Sequence, residues 1–156
     1  MVEAQECRVY LDHLRAEHLR IQRMLRQIRE ALQAQETTPG ESQFSVIAEN
    51  LRNLRTELAN HFREEEGGGC MEEAVAFNPH LSAEVRLVEA QHPLLLAAVD
   101  TLIMRVAQPS VMQQIEPLRQ ELDDLAMLLT RHEEAETGVL ERGFGVYLED
   151  EPLRPD

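Results

Sequence analysis

Six side chains able to bind metal or move protons stand where apolar side chains are expected: His18, His61, Glu65, His92, His132 and Glu136. Each interrupts a run of apolar residues that advances in alternating steps of three and four. The first run reads Leu11, Leu14, His18, Ile21, Leu25, Ile28, Leu32, and the last includes Leu122, Leu125, Leu129, His132, Glu136, Val139. A single histidine in such a seam reads as a hydrogen-bonded core residue. Six ligand-type residues on seams that offer about two positions in seven read as one constellation. A carboxylate is almost never buried without a partner, because an isolated buried charge is very costly.

The spacing indicates the chemistry. His61-Phe-Arg-Glu-Glu65 and His132-Glu-Glu-Ala-Glu136 are both His-x-x-x-Glu, which places the two side chains on one helical face, one turn apart. Two such helices present two carboxylates able to bridge two metal ions, and His18 and His92 add one imidazole each. Four neutral nitrogens and two anionic carboxylates suit iron or manganese better than a thiolate set would. Two ions that each favour octahedral surroundings are not saturated by this set. Open positions follow, where an oxo or hydroxo bridge, O2, NO or another small exogenous ligand could sit.

The elements that position these residues are helices. Only six residues are Tyr or Phe and none is Trp, while the abundant Leu, Ala, Glu, Gln and Arg are strong helix formers. Breaks at Thr37-Thr38-Pro39-Gly40, Asn78-Pro79 and Pro109-Ser110 divide the chain into four amphipathic segments. The second stripe runs Phe44, Ile47, Leu51, Leu54, Leu58, His61, Glu65, and the third Leu81, Val85, Val88, His92, Leu95, Val99, Leu102, Val106. Four such stripes joined by short connections predict an all-α, up-down-up-down four-helix bundle. Folding back at each break brings the six residues to one layer, within roughly one or two turns at ~1.5 Å per residue. The bundle is expected over residues 1–147, with a loose acidic tail over 148–156. Gly67-Gly68-Gly69 predicts either the end of the second helix or a weakened turn continuing to about Phe77. Pro117 fits the first turn of the fourth helix or a position inside it, and Gly143 and Gly145 are expected to end that helix.

The order His18, His61-x-x-x-Glu65, His92-Pro93, His132-x-x-x-Glu136 resembles the hemerythrin-like (HHE cation-binding) family over about residues 8–142. The resemblance implies a non-haem di-iron site within the bundle. It implies that Glu65 and Glu136 bridge the two Fe ions, that His18 and His61 bind one and that His92 and His132 bind the other. Two features depart from the oxygen-carrying hemerythrins. Leu96 stands where they have a fifth histidine one turn after the third-helix one, and Glu136 follows His132 by four residues where they have Asp five on. The four-His, two-Glu set is similar to that of di-iron proteins of iron–sulfur cluster repair. It is also similar to the iron-sensing domain of an F-box protein.

Other candidates read as less specific. Glu89-Ala-Gln-His92 is a single Glu-x-x-His, of which ferritin-like bundles use two; Glu89 is expected on a solvated face, with partnership to an imidazole as the alternative. His13 and His80 are expected at the surface. Glu64, Glu66, Glu133 and Glu134 read as helix-face charge. Cys70 reads as a lone buried thiol, and Met24, Met71, Met104, Met112 and Met127 as core or near-core filler. Gly67–Gly69 could terminate a helix or leave room for an exogenous ligand.

Composition limits the function classes. The chain has 156 residues and a formal charge of -14, which disfavours nucleic acid and anionic membrane surfaces as partners. No apolar run is expected to reach the ~18 residues of a membrane span. The first residues lack the pattern of a secretory leader, and a cytoplasmic location is the expectation. Two cysteines are too few for a disulfide framework. The leading expectation is a metal-dependent protein that binds or senses O2, NO, iron or redox state, with Zn or Mn as substitute metals. The alternatives are a di-iron redox enzyme or iron donor in stress defence, and a metal-free helical interaction bundle.

Overall fold

The computed structural model describes residues 4–37 and 43–144. The tail over 148–156, Gly145 and the Thr38-Pro39-Gly40 break lie outside the described residues. Five helices form: α1 (Ala4–Thr37), α2 (Gln43–Gly67), α3 (Cys70–Phe77), α4 (Ser82–Val106) and α5 (Ile115–Phe144). The four long ones are the expected segments, and α1 packs on α2, α2 on α4, α4 on α5 and α5 on α1, closing an all-α bundle. The seam residues face inward because each stripe is the one apolar face its helix can bury.

The glycine run divides the second segment. α2 stops at Gly67, and Gly69 takes φ 77° immediately before α3, a left-handed conformation that costs glycine little. The chain turns there and lays α3 against α5. Gly143 permits this packing: a Cβ added to it would stand 2.5 Å from the Ala74 Cβ and 2.9 Å from the Ala74 Cα. Gly143 stands one residue before Phe144, the last described residue of α5. Its role is close helix approach. The Asn78 side chain accepts a hydrogen bond from the His80 N–H at 3.3 Å, starting the short 3-10 turn Pro79–Leu81 that leads into α4. Pro117 falls in the first turn of α5, where its missing N–H is one the helix could not use.

The buried apolar residues form two clusters. The larger one includes Ile21, Leu25, Leu54, Leu58, Leu95, Val99, Leu125 and Leu129. The smaller one joins Leu11 and Leu14 of α1 to Cys70, Met71 and Ala74 of α3, Val85 and Val88 of α4, and Val139 and Leu140 of α5. Between them, in every long helix, lies the polar layer.

Three expectations are corrected. Met104, Met112 and Met127 are exposed, because they lie off the seams; Met71 alone of the five is fully buried. Cys70 is not a lone thiol, since its Sγ lies 2.9 Å from that of Cys7. Pro79–Val106 is long and apolar enough to cross a membrane by length and composition, with a mean hydropathy of 1.3 in its best window. Its Val85, Val88, Leu95, Val99, Leu102 and Val106 are nevertheless buried within the bundle.

Candidate metal centre

All six seam residues are brought together. His18, His61, Glu65, His92, His132 and Glu136 are each at most 7% exposed, and Glu136 is fully buried. Helical spacing puts His61 with Glu65 and His132 with Glu136 on the inner faces of α2 and α5. α1 and α4 deliver one imidazole each from the ring positions between them. The ligand atoms form two groups, each with all atoms within 4.8 Å of one another: Glu65, His92, His132 and Glu136, and His18, His61 and Glu136. Ligands on opposite sides of an ion with bonds of about 2.1 Å stand about 4.2 Å apart, so each group has the dimensions of a metal site. Glu136 belongs to both groups.

The outer ring of hydrogen bonds sets the tautomers. His61 Nδ1–H donates to Glu17 Oε2 at 2.5 Å, His92 Nδ1–H to Glu66 Oε1 at 2.8 Å, and His132 Nδ1–H to Gln91 Oε1 at 2.7 Å. An ionised carboxylate or an amide oxygen can only accept, so the proton sits on Nδ1 and the Nε2 lone pair points inward. Those three Nε2 atoms, both Glu65 oxygens and Glu136 Oε1 are buried with no hydrogen-bond partner outside the layer. Their close contacts are with one another, as His92 Nε2 with Glu65 Oε2 and His132 Nε2 with Glu136 Oε1. Orphaned buried polar atoms are costly and rare in folded proteins. Here six converge on one point, and their chemistry is that of a cation's ligands. The residues present fit metal.

Electrostatics within the layer are correspondingly strained when protons are the only cations. Burial raises the Glu65 carboxyl to about 8, with the neighbouring Glu136 charge adding to the rise. Burial opposes charge on His61 and His92, but the Glu136 and Glu65 carboxylates outweigh it and lift them to about 9 and about 10. Glu136 is driven well below the usual carboxylate range despite its burial, because His132, His18, His61 and His92 all surround it. His92 Nε2 lies 3.2 Å from Glu65 Oε2, and His18 Nε2 lies 3.2 Å from Glu136 Oε2.

Several neighbours escaped sequence reasoning. Phe62 stacks on His92 with centroids 4.1 Å apart and an interplanar angle of 7°, and meets His132 edge-on at 5.4 Å. It forms an apolar wall for the imidazoles. A residue adjacent to His61 and buried beside the seam is its only sequence signal. Glu17 and Gln91 each stand directly before a seam histidine, at His18 and His92, yet each bonds a histidine of a different helix. No spacing rule within one helix finds such pairs. Tyr10 is half-buried, and burial together with the Glu65 and Glu136 charges pushes its hydroxyl far above the usual range.

Glu66, read as face charge, instead bonds His92. Glu89 is exposed, as a solvated face residue is. Glu133 is half-buried and accepts a hydrogen bond from Gln22 at 3.1 Å; burial raises its carboxyl. Glu134 and His80 are exposed. His13 is exposed too and contacts Glu17 at 2.9 Å and Glu64 at 3.5 Å, with no link of its own to the buried layer. A groove between α1 and α5, lined by Arg15, Leu19, Gln22, Glu133 and Thr137, reaches His18.

A family model described as the Hemerythrin HHE cation binding domain matches residues 9–142. No curated protein and no solved structure matches the chain significantly. The matched span starts two residues before Leu11 and ends beyond Val139, so it takes in the whole polar layer and, apart from Cys7, the buried residues of both apolar clusters around it. With that span covered and its seams carrying histidine and glutamate, the chain belongs to the hemerythrin HHE cation-binding domain family.

Proposed function

We propose that this chain is a non-haem di-iron protein that binds or senses O2 or NO at a carboxylate-bridged centre. The observation that carries the reading is the set of inward Nε2 lone pairs and unpartnered carboxylate oxygens in the buried layer. His18 and His61 would hold one iron, His92 and His132 the other, and Glu136 and Glu65 would supply the carboxylates. When bound, the metal pair supplies redox-active positions that a diatomic ligand can occupy reversibly.

The protein's own residues set the conditions. Glu17, Glu66 and Gln91 hold three imidazoles in the ligating tautomer and fix their orientation. Phe62 and the two apolar clusters exclude bulk water on either side of the layer. The groove that ends at His18 provides the approach for a small ligand, and His18 is the most exposed of the six at 7%. Binding and sensing are favoured over turnover, because the described residues of the layer serve as ligands, tautomer-fixing partners and walls. Manganese or zinc would fit the same donors, and the location is proposed to be cytoplasmic.

The test is metal content per chain, with visible spectra before and after anaerobic reduction and re-exposure to air. About two irons with an absorption band that bleaches on reduction and returns in air supports the reading. Failure of both purified and iron-reconstituted protein to hold stoichiometric metal overturns it, and the layer is then a buried polar network in a metal-free bundle. Steady consumption of peroxide or NO by the reduced protein would favour the enzyme instead.

A further inference from the structure

A pair of thiols lies apart from the polar layer. Cys7 near the start of α1 and Cys70 at the start of α3 are 63 positions apart, and their sulfur atoms are 2.9 Å apart. Both are free thiols and both are buried. A disulfide bond of about 2.05 Å requires closing this gap by only about 0.9 Å. Both thiols lie in the smaller apolar cluster with Leu11, Met71 and Ala74.

We propose that Cys7 and Cys70 are a peroxide-responsive thiol pair whose disulfide staples α3 to α1. Cys70 attacks hydrogen peroxide, forming an S–O bond and breaking the O–O bond, with release of water. The Cys7 sulfur then displaces hydroxide from the sulfenic acid, and the thiol proton leaves with it as a second water. Two thiols lose two electrons and two protons in all, and one peroxide becomes two waters.

The surroundings select this oxidant. Burial and the adjoining Cys7 thiol raise the Cys70 thiol to about 12, with the Glu6 and Glu73 charges adding to the rise. The closed pair is thus held as unreactive thiols, and attack on peroxide belongs to the thiolate exposed on opening. Those carboxylates repel an anionic reagent such as glutathione disulfide, whereas peroxide is small and neutral. Access comes from α3 itself. With eight residues, it is shorter than the ~12–15 that hold together alone. It joins α2 through Gly68 and the left-handed Gly69, and its buried anchors are Cys70, Met71 and Ala74. Local opening of such a segment is the ordinary low-energy motion of a folded protein. Opening exposes Cys70, reclosure returns its sulfur to Cys7, and the new bond then prevents reopening. The placement matters because Met71, next to Cys70, lies with Glu65, Glu66, Val88, Glu89 and His92 around a narrow crevice beside the buried layer, too tight to hold a water. The stapled helix covers that side.

The experiment uses the full chain, reduced and free of metal, so that its outcome is independent of whether the layer binds iron. After hydrogen peroxide and alkylation, intact mass and peptide mapping should show a monomer lacking two hydrogens, with the Cys7 and Cys70 peptides cross-linked. Dithiothreitol should reverse the change. Amide exchange over Cys70–Phe77 should slow at least ~10-fold on oxidation, because the cross-link restricts the opened state. Cys7→Ser and Cys70→Ser should each lose the cross-link, and the wild-type protein with its mass readout keeps the test valid if either variant folds poorly. Thiols that remain alkylatable after peroxide, separate sulfinic acids without a cross-link, or disulfides between chains would each overturn the proposal. Cross-linking by glutathione disulfide as fast as by peroxide would overturn the choice of oxidant.

Discussion

Glu136 and Glu65 are predicted to differ in consequence although both are buried carboxylates of the same layer. Among the described residues, Glu136 is the member common to both groups of ligand atoms, whereas Glu65 belongs only to the group with His92 and His132. Replacing each with Gln keeps the side-chain size and removes the charge. Glu65→Gln leaves His18, His61 and Glu136 intact and still leaves the other position His92, His132 and Glu136, so it should keep one ion at full affinity and hold the second more weakly. Glu136→Gln leaves the His18–His61 position with no carboxylate and the other with Glu65 alone, so it should lose the first ion and weaken the second. An ion present at 100 times its Kd adds about 2.7 kcal/mol to stability, and two add about 5.4 kcal/mol. At about 2–4 °C per kcal/mol for a chain of this size, the loaded wild type should melt roughly 10–20 °C above its metal-free form. Glu65→Gln should keep more than half of that shift and Glu136→Gln less than half. Each shift is referred to the variant's own metal-free form, which removes the cost of altering the buried network itself. The assay is anaerobic Fe(II) loading, with elemental analysis and calorimetry on the same samples. Equal metal loss in the two variants, or two ions retained by Glu136→Gln, would refute the shared-ligand geometry.

Four further outcomes follow. Phe62→Ala removes a ring that is 3% exposed and stacked on His92; chemical denaturation should show a loss of about 3–5 kcal/mol. Glu17→Gln and Gln91→Ala weaken the hold on His61 and His132 and should each lower metal affinity about 10–100-fold, read by competition with a chelator. Gly143→Ala drives a Cβ into the Ala74 backbone and should cost about 1–3 kcal/mol, with faster amide exchange in α3 as its local signature. The metal-free protein should lose stability as pH rises. His61 and His92 titrate at about 9 and about 10 in the folded chain against 6.5 unfolded, and Glu65 at about 8 against 4.5. Each binds its proton more tightly when folded, so its contribution is complete below the unfolded value and is lost as pH rises through the folded one. Melting temperatures between pH 6 and 10 should therefore fall for the metal-free protein. Metal affinity should rise over that range, because binding displaces those protons. A metal-free melting temperature that climbs with pH would contradict the assigned protonation.

The helices and the polar layer were legible because both are local patterns. A three-and-four step of Leu, Ile and Val specifies which face a helix buries, and a histidine or glutamate on that face is visible as an exception. The positions of the breaks at Thr37, Asn78 and Pro109 then bring His18, Glu65, His92 and His132 to one height. Glu17, Gln91 and Phe62 were not legible, because each acts across a helix boundary on a residue 30 to 70 positions away or beside it by packing alone. Gly143 reads from sequence as a helix-end signal, and α5 is described only as far as Phe144. Its further use, making room for Ala74, depends on where α3 lies. Met104, Met112 and Met127 were misplaced because a flexible thioether is tolerated in the core and at the surface alike.

By itself, then, the sequence determined that this protein is a helical bundle with four imidazoles and two carboxylates buried in one layer. Periodicity and residue chemistry suffice for that, since each helix must hide its apolar face. Only the tertiary structure decided how those six groups divide, with Glu136 common to both metal-sized groups, and which outer partners fix the imidazole tautomers. Only it placed the Cys7 sulfur against that of Cys70. Such relations join atoms far apart in the chain, and they come into being when the packing of whole helices sets rotation and height together.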